Sequence, residues 1–333
     1  MISFSKLAFS SACITLALTS WLGAQSYQYI RTGNSNDVQT HSVFGIAMMG
    51  GGSDLDGAFR WLCEKAGHGD FLILRAAGDD EYNSYVSGLC KPNSVATLII
   101  PDRQSAYDPR MGEIIRSAEA IFIAGGDQAR YVNFWRGTPV QNALNADLRE
   151  GKPIGGTSAG LAVLGAFIYG ALQDKPDGQD LTSPEVLRNP YFYRVTLVRG
   201  FLDIPLLQNV LTDSHFAKRD RMGRSLGFLA RISRDGWSAH PREIAIDEKS
   251  AVLIEADGTA NIIGPGKGAY FISVASPPEQ CRAGVPLTMR GIRVTHVPNH
   301  RSFHLKSWTA VQGDIYTLSV EAGVIESTRP QIY

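Results

Sequence analysis

The strongest constraint on the fold is an alternation between residues 43 and 157. The apolar runs "VFGIAMMGGG", "DFLILRAAG", "SVATLII", "AIFIAGGDQ" and "PIGGTSAG" are separated by helical stretches. These runs show little polar–apolar alternation, as strands covered on both faces do. The helical stretches are 54–67, with Asp54 as its expected N-cap, then 81–91, 109–118 and 131–151, the last with a break at Pro139. Such a pattern predicts an α/β fold, a three-layer sandwich with a mainly parallel sheet. Beyond about Glu243 the signals change to short strands and turns. Residues 251–274 read as a hairpin with Asp257-Gly258 at its turn, so the C-terminal part is expected to add β hairpins. Ligands in such folds bind beyond the carboxyl ends of the strands. The small-residue loops 50–53, 125–128 and 156–160 fall at such ends and should converge on one crevice.

One of these loops carries a lone hydroxyl. Gly156-Thr157-Ser158-Ala159-Gly160 matches G-x-S-x-G, a pattern suited to a sharp strand-to-helix turn that exposes its serine. Leu161, Leu164 and Ile168 follow at helical spacing and predict a helix whose free N–H groups face the serine. The alternative is a small-residue turn where helix and strand pack closely.

Lys+Arg and Asp+Glu both number 32, so the formal net charge is zero. A general nucleic-acid binder would be basic, and no nucleic-acid partner is expected. With 44% hydrophobic and 19% charged residues, a packed core is expected and disorder is not. Residues 1–24 stand apart: Lys6 precedes an apolar run that ends in Gly23-Ala24. They read as a secretory signal peptide cleaved near Ala24, with an uncleaved membrane anchor as the alternative. Residues 25–41 follow as a polar N-terminal linker, and 42–333 as a single domain. The expected location is secreted or periplasmic, with no membrane association after cleavage. Cys13 would leave with the signal, and Cys63, Cys90 and Cys281 would remain. Cys63 and Cys90 lie on the first two predicted helices, which flank neighbouring strands. They are expected to pair in an oxidising compartment, closing a span that contributes roughly 3 kcal/mol. Cysteine spacing suggests no metal site.

A serine nucleophile needs a base, and the base an orienting group. Of the seven histidines, His215 has the distinctive context. It precedes an amphipathic helix whose Met222, Leu226 and Leu229 share one face. The nearby acids are Asp213 and the pair Asp247-Glu248.

The blocks "FIAGGDQ", "GGTSAGLAV", "DSHFAKRDRMGR" and "IAIDEKSAVLIEADGTANIIGPG", in that order, resemble the serine peptidase family of cyanophycinases and aspartyl dipeptidases. The resemblance runs from about Val43 to about Val274 and is greatest to the cyanophycinase branch. It implies a class I glutamine-amidotransferase-like (flavodoxin-like) fold, with Ser158 as nucleophile, His215 as general base and Glu248 as orienting acid. It implies a substrate pocket of Gln128, Asp213, Arg219, Arg221 and Arg224. The oxyanion is expected between the N–H groups of Ala159 and Gly126. One position departs, because Ser214 stands where the family has Gln before the histidine. No metal or cofactor is required. The crowded arginines are expected to repel one another until an anion arrives, which favours an acidic or β-aspartyl peptide substrate. A homodimer is left open. The rival readings are an α/β-hydrolase esterase, using for instance Ser158, Asp257 and His300, and a non-catalytic binding protein on the same fold.

Overall fold

The computed structural model describes residues 27–173 and 179–333. The expected signal peptide, with Cys13, lies outside the described residues. The predicted strands and helices form largely where the pattern puts them. Strands Gly45–Met49, Asp70–Arg75, Ser94–Ile99, Ala120–Ile123 and Ile154–Thr157 alternate with helices Asp56–Lys65, Glu81–Cys90, Arg110–Arg116, Gln128–Trp135 and Pro139–Glu150.

The five strands are parallel neighbours inside a ten-stranded sheet. The sheet is nevertheless mixed, which corrects the expectation of a mainly parallel one. Its outer strands Gln28–Gly33, Ala251–Glu255, Thr259–Ile263, Ser302–His304 and Thr309–Ala310 pair antiparallel. A second, eight-stranded sheet holds only two parallel pairings, those of Val210–Asp213 with Arg242–Ile246 and with Phe167–Tyr169. Parallel pairing needs a long crossover, and the C-terminal connections are mostly short turns that permit only antiparallel return. The predicted hairpin forms over Ala251–Glu255 and Thr259–Ile263, but Ala269–Val274 joins the second sheet instead.

Three local expectations also change. Gln28–Gly33, inside the expected linker, is an edge strand against Ser94–Ile99. Leu55, not Asp54, is the N-cap of the first helix, and Asp54 accepts a hydrogen bond from the Tyr82 hydroxyl. The helix after Ser158 is a single turn, Ala159–Ala162, and Phe167–Tyr169 is a strand. Thr212 Oγ1 meets the carbonyls of Leu161 and Ala162 and the N–H of Gly165, which ends the helix there.

Side-chain alternation sorts the layers. On the first sheet Met49, Ile73 and Phe122 pack with Phe59 and Leu62 of the first helix. The opposite face, with Met48, Leu74 and Ile123, joins a larger core with Trp135 and with Ile244 and Phe271 of the second sheet. The far face of the second sheet buries Ala245 and Ile272 under Leu226 and Leu229. Helix Met222–Arg234 is therefore the amphipathic element predicted. Cys63 and Cys90 form a disulfide with Cα atoms 6.3 Å apart, tying the first two helices together, and Cys281 is free and buried. Among the described residues, no helix is long and apolar enough to cross a membrane.

Candidate active site

The site lies where strands of both sheets end. Gly45–Met49 leads into Gly50–52, Ala120–Ile123 into Gly125 and Gly126, and Ile154–Thr157 into Ser158. From the second sheet, Val210–Asp213 ends two residues before His215, and Arg242–Ile246 ends two residues before Glu248. These two strands are parallel neighbours, so their ends carry His215 and Glu248 to the same place.

Ser158 Oγ is 2.7 Å from His215 Nε2, and His215 Nδ1 is 2.7 Å from Glu248 Oε1. The serine backbone has φ 52° and ψ −113°, the strained turn its motif suggests. Gly160 lets that turn press onto the neighbouring strand, because a Cβ there would lie 1.9 Å from the Ile123 carbonyl oxygen. The glycine loop after Met49 binds all three segments through main chain. The Ser158 N–H donates to the Met49 carbonyl (3.1 Å), His215 N–H to Gly50 (2.7 Å) and Lys249 N–H to Gly51 (2.9 Å). Gly51 has φ 90°, and a Cβ on it would come within 2.5 Å of His215 Nε2. The sequence marks this loop as one of three that should converge. Its role as the common anchor is visible only in three dimensions.

His215 is nearly buried, and burial pushes its pKa down. The Glu248 hydrogen bond works against this, while the charges of Arg219 and Arg221 add to it, and the net result is below the ordinary value. This direction favours the neutral imidazole, the form that can accept a proton. The hydrogen bond to His215 also holds the Glu248 carboxyl below its usual range. Asp247 takes no part in this relay and accepts instead from the Lys218 N–H.

Ser158 and His215 open onto a cavity of about 630 Å³ that also contains Gly126, Gln128, Ala159, Arg219, Arg221 and Arg224. Gly126 and Ala159, the expected oxyanion donors, line the same cavity. The Tyr131 hydroxyl lies 2.9 Å from the Ala124 carbonyl and 3.1 Å from that of Gly125, which braces the loop. Asp127 of the 125–128 loop also lines the cavity, as do Tyr169, Leu172, Arg130 and Asp180, which sequence reasoning did not reach. Asp180 follows a polar stretch with no periodicity. Tyr169 sits where a helix was expected. Neither carries a signal that would have found it.

The arginines are not an unrelieved cluster, which corrects the expected repulsion. Arg224 donates from Nε (3.0 Å) and Nη2 (2.7 Å) to Asp213 Oδ2, and its guanidinium lies 5.2 Å from the Tyr169 ring centre. Arg221 Nη1 donates to Asp213 Oδ1 (3.1 Å) and to the Ser214 carbonyl (2.8 Å), and Nη2 to Asp180 Oδ2 (2.9 Å). Arg219 Nη1 reaches the same Asp180 oxygen at 3.2 Å. Asp213 does not line the cavity and stands behind the arginines as their counter-ion. Burial pushes its carboxyl up, but the charges of Arg224 and Arg221 prevail and hold it below the usual range. For Asp180 the same balance leaves a pKa of about 2. Three guanidiniums against two carboxylates leave one net positive charge on this wall. Ser214, the departing position, lines the cavity with its small side chain. His300 belongs to a different cavity, and Asp257 is held at its hairpin turn by Thr259, so the esterase set does not assemble around Ser158.

Residues 91–187 match Peptidase family S51, a span that includes Ser158 and ends before His215. A cyanophycinase from Synechococcus elongatus is 33% identical over 177 residues, covering 52% of this chain and 47% of that protein. A cyanophycinase from Trichormus variabilis is 27% identical over 228 residues, covering 65% of this chain and 67% of that protein. The match thus spans about half the length of the Synechococcus relative. In fold, the chain is similar to a peptidase from an acI-B1 Actinobacterium. The TM-score is 0.50 at 16% identity, over 80% of this chain and 98% of that one. By these matches the chain is similar to Peptidase family S51 and to the cyanophycinases.

Proposed function

We propose that the protein is a secreted, cyanophycinase-like serine peptidase that hydrolyses β-aspartyl or aspartyl-rich peptides through an acyl-enzyme. The observation that carries the reading is the Ser158–His215–Glu248 relay, two contacts of 2.7 Å through one imidazole. His215 Nε2 takes the Ser158 proton as Oγ attacks the peptide carbonyl. Glu248 faces the Nδ1–H and stabilises the imidazolium that forms. The tetrahedral oxygen is received by the N–H groups of Ala159 and Gly126, each such donor contributing about 3–4 kcal/mol. His215 then gives its proton to the leaving amine. Water, deprotonated by the same imidazole, releases the acyl group and restores Ser158.

The arginine wall supports an acidic substrate, because its residual positive charge and planar donors suit carboxylates. The parallel strands carrying loops at their carboxyl ends support the glutamine-amidotransferase-like class of the fold. Export is part of the proposal. It is supported by the signal-like run of residues 1–24 and by the Cys63–Cys90 disulfide, a bond favoured in oxidising compartments.

Two assays test the reading. A fluorophosphonate probe should label Ser158, as mapped by peptide mass spectrometry. Unblocked protein should release fragments from a β-Asp-Arg polymer. Absence of labelling at Ser158 would overturn the serine mechanism. Labelling without release from any β-aspartyl peptide would overturn the substrate class.

A further inference from the structure

The two carboxylates of the arginine wall differ in how firmly they are held. Asp213 is buried and accepts from both Arg221 and Arg224, and its Oδ1 also receives the Ser214 N–H. Asp180 lines the cavity with its side chain 40% exposed. Arg219 and Arg221 both donate to the same Asp180 atom, Oδ2, and among the described residues its Oδ1 has no hydrogen-bond partner. We propose that Asp180 is an internal stand-in for a substrate carboxylate, and that an acidic ligand binds the Arg219–Arg221 pair by displacing it. The inference rests on the proposed preference for acidic substrates and names the residue that sets its strength.

Three observations support an exchange. First, Arg221 is not stranded when Asp180 leaves, because Asp213 Oδ1 and the Ser214 carbonyl remain on its Nη1. Second, the incoming carboxylate takes over the charge-assisted bonds that Asp180 made, so no buried charge is left unpaired. Third, Asp180 already reaches solvent and regains hydration on leaving. The same cavity contains Ser158 and His215, so a carboxylate seated on the two guanidiniums belongs to a molecule that can also present a carbonyl to the serine. With a pKa of about 2, Asp180 stays ionised across any ordinary assay pH. The competition is therefore a constant tax on acidic ligands and not a pH switch.

The test is calorimetric titration with succinate, a dicarboxylate with no scissile bond, into the wild-type protein and Asp180→Asn. Removing the competing charge should tighten succinate binding about tenfold, since the ligand no longer displaces an ion pair. Loss of a purely structural residue would not produce a gain of affinity. Asp180→Ser must move binding in the same direction, and it serves as the probe if the Asn variant unfolds. Unchanged or weaker succinate binding in a folded variant overturns the proposal and makes Asp180 a brace for the arginines or a partner for a substrate cation. Absence of succinate binding in both proteins overturns it too. Because the titration needs no turnover, failure of the peptidase reading would show in the polymer assay while this result stood by itself.

Discussion

One wall of the cavity is held by main chain and the other by ion pairs. Ser158, His215 and the residue after Glu248 hang from three successive carbonyls, those of Met49, Gly50 and Gly51. Arg219, Arg221 and Arg224 are held by Asp213, on the strand just before them, and by Asp180, 39 residues before Arg219. A main-chain wall fixes geometry to fractions of an ångström and carries little charge. A wall of ion pairs carries charge at the cost of burying it, and stands only while each charge keeps its partner. The first suits bond making, where a small misplacement is expensive. The second suits recognition, where charge decides the ligand.

The largest effect should come from the main-chain wall. Ser158→Ala should reduce peptide turnover by on the order of 10⁶, the loss seen when such a nucleophile is removed. Its fold should be kept, since the hydroxyl is not part of the core. Circular dichroism beside the rate measurement separates the two. Residual activity of a few per cent would show that another group does the chemistry.

Arg224→Leu attacks the other wall where its burial is deepest. It leaves Asp213 with Arg221 as its remaining cation, in a setting with almost no solvent. Breaking a buried pair in this way should cost about 3–5 kcal/mol in urea-induced unfolding. A cost below about 1 kcal/mol would mean the wall is held by packing, and the contrast between the two walls would fail.

Gly51→Ala sharpens the contrast. Its Cβ would press on the imidazole at 2.4–2.5 Å, so His215 must move relative to Ser158. Turnover should fall about a hundredfold, the order expected for a misplaced catalytic group. The effect should fall on kcat, with affinity for succinate unchanged. A loss of succinate affinity would show that the two walls move as one body.

The same contrast explains what the sequence made legible. Glycine spacing and apolar runs report on backbone, and they marked the three loops, Ser158 and the parallel strands. His215 and Glu248 became readable through blocks with a family resemblance, and the strands Val210–Asp213 and Arg242–Ile246 that carry them were not predicted. The ion-pair wall was half visible. Three arginines can be counted in a sequence, but their counter-ions cannot be assigned. Asp180 is 39 residues from Arg219 and has no helical or strand register to place it. Asp213 could be named as a pocket residue, yet its place behind the arginines follows from Val210–Asp213 being an inner strand. The mixed character of the sheets was missed because apolar runs fix burial on both faces and not strand direction.

A smaller effect is expected just behind the charged wall. Glu243 is fully buried, with Ser225 Oγ donating to Oε1 at 2.6 Å and Oε2 without a partner among the described residues. Burial, reinforced by the Asp213 charge, pushes its pKa well up. A carboxyl whose folded pKa is raised contributes most stability below its unfolded pKa. That contribution is lost as pH rises above that value, because the unfolded chain ionises freely and the folded one does not. Glu243→Gln removes this cost. It should stabilise the protein by about 1 kcal/mol at pH 7 and by less at pH 4, as read from urea midpoints. A loss of stability at pH 7 would show that the residue is ionised in place and paired with the arginines.

The subtlest test asks whether one wall tunes the other. After burial and the Glu248 hydrogen bond, the charge of Arg219 is the next influence on His215, and it lowers the pKa. Arg219→Gln removes that charge while leaving the main-chain anchors of the imidazole untouched. The His215 pKa should then rise toward the ordinary value. With the neutral imidazole as base, the acid limb of kcat/KM on a neutral ester should move to higher pH. The ester matters, because an acidic substrate would confound the pKa with the loss of a binding charge. Arg219 is 43% exposed and shares Asp180 with Arg221, so water and that carboxylate screen it. The shift should therefore be small and should shrink further in added salt. An acid limb that stays in place at low salt would show that the ion-pair wall recognises substrate without adjusting the base beside it.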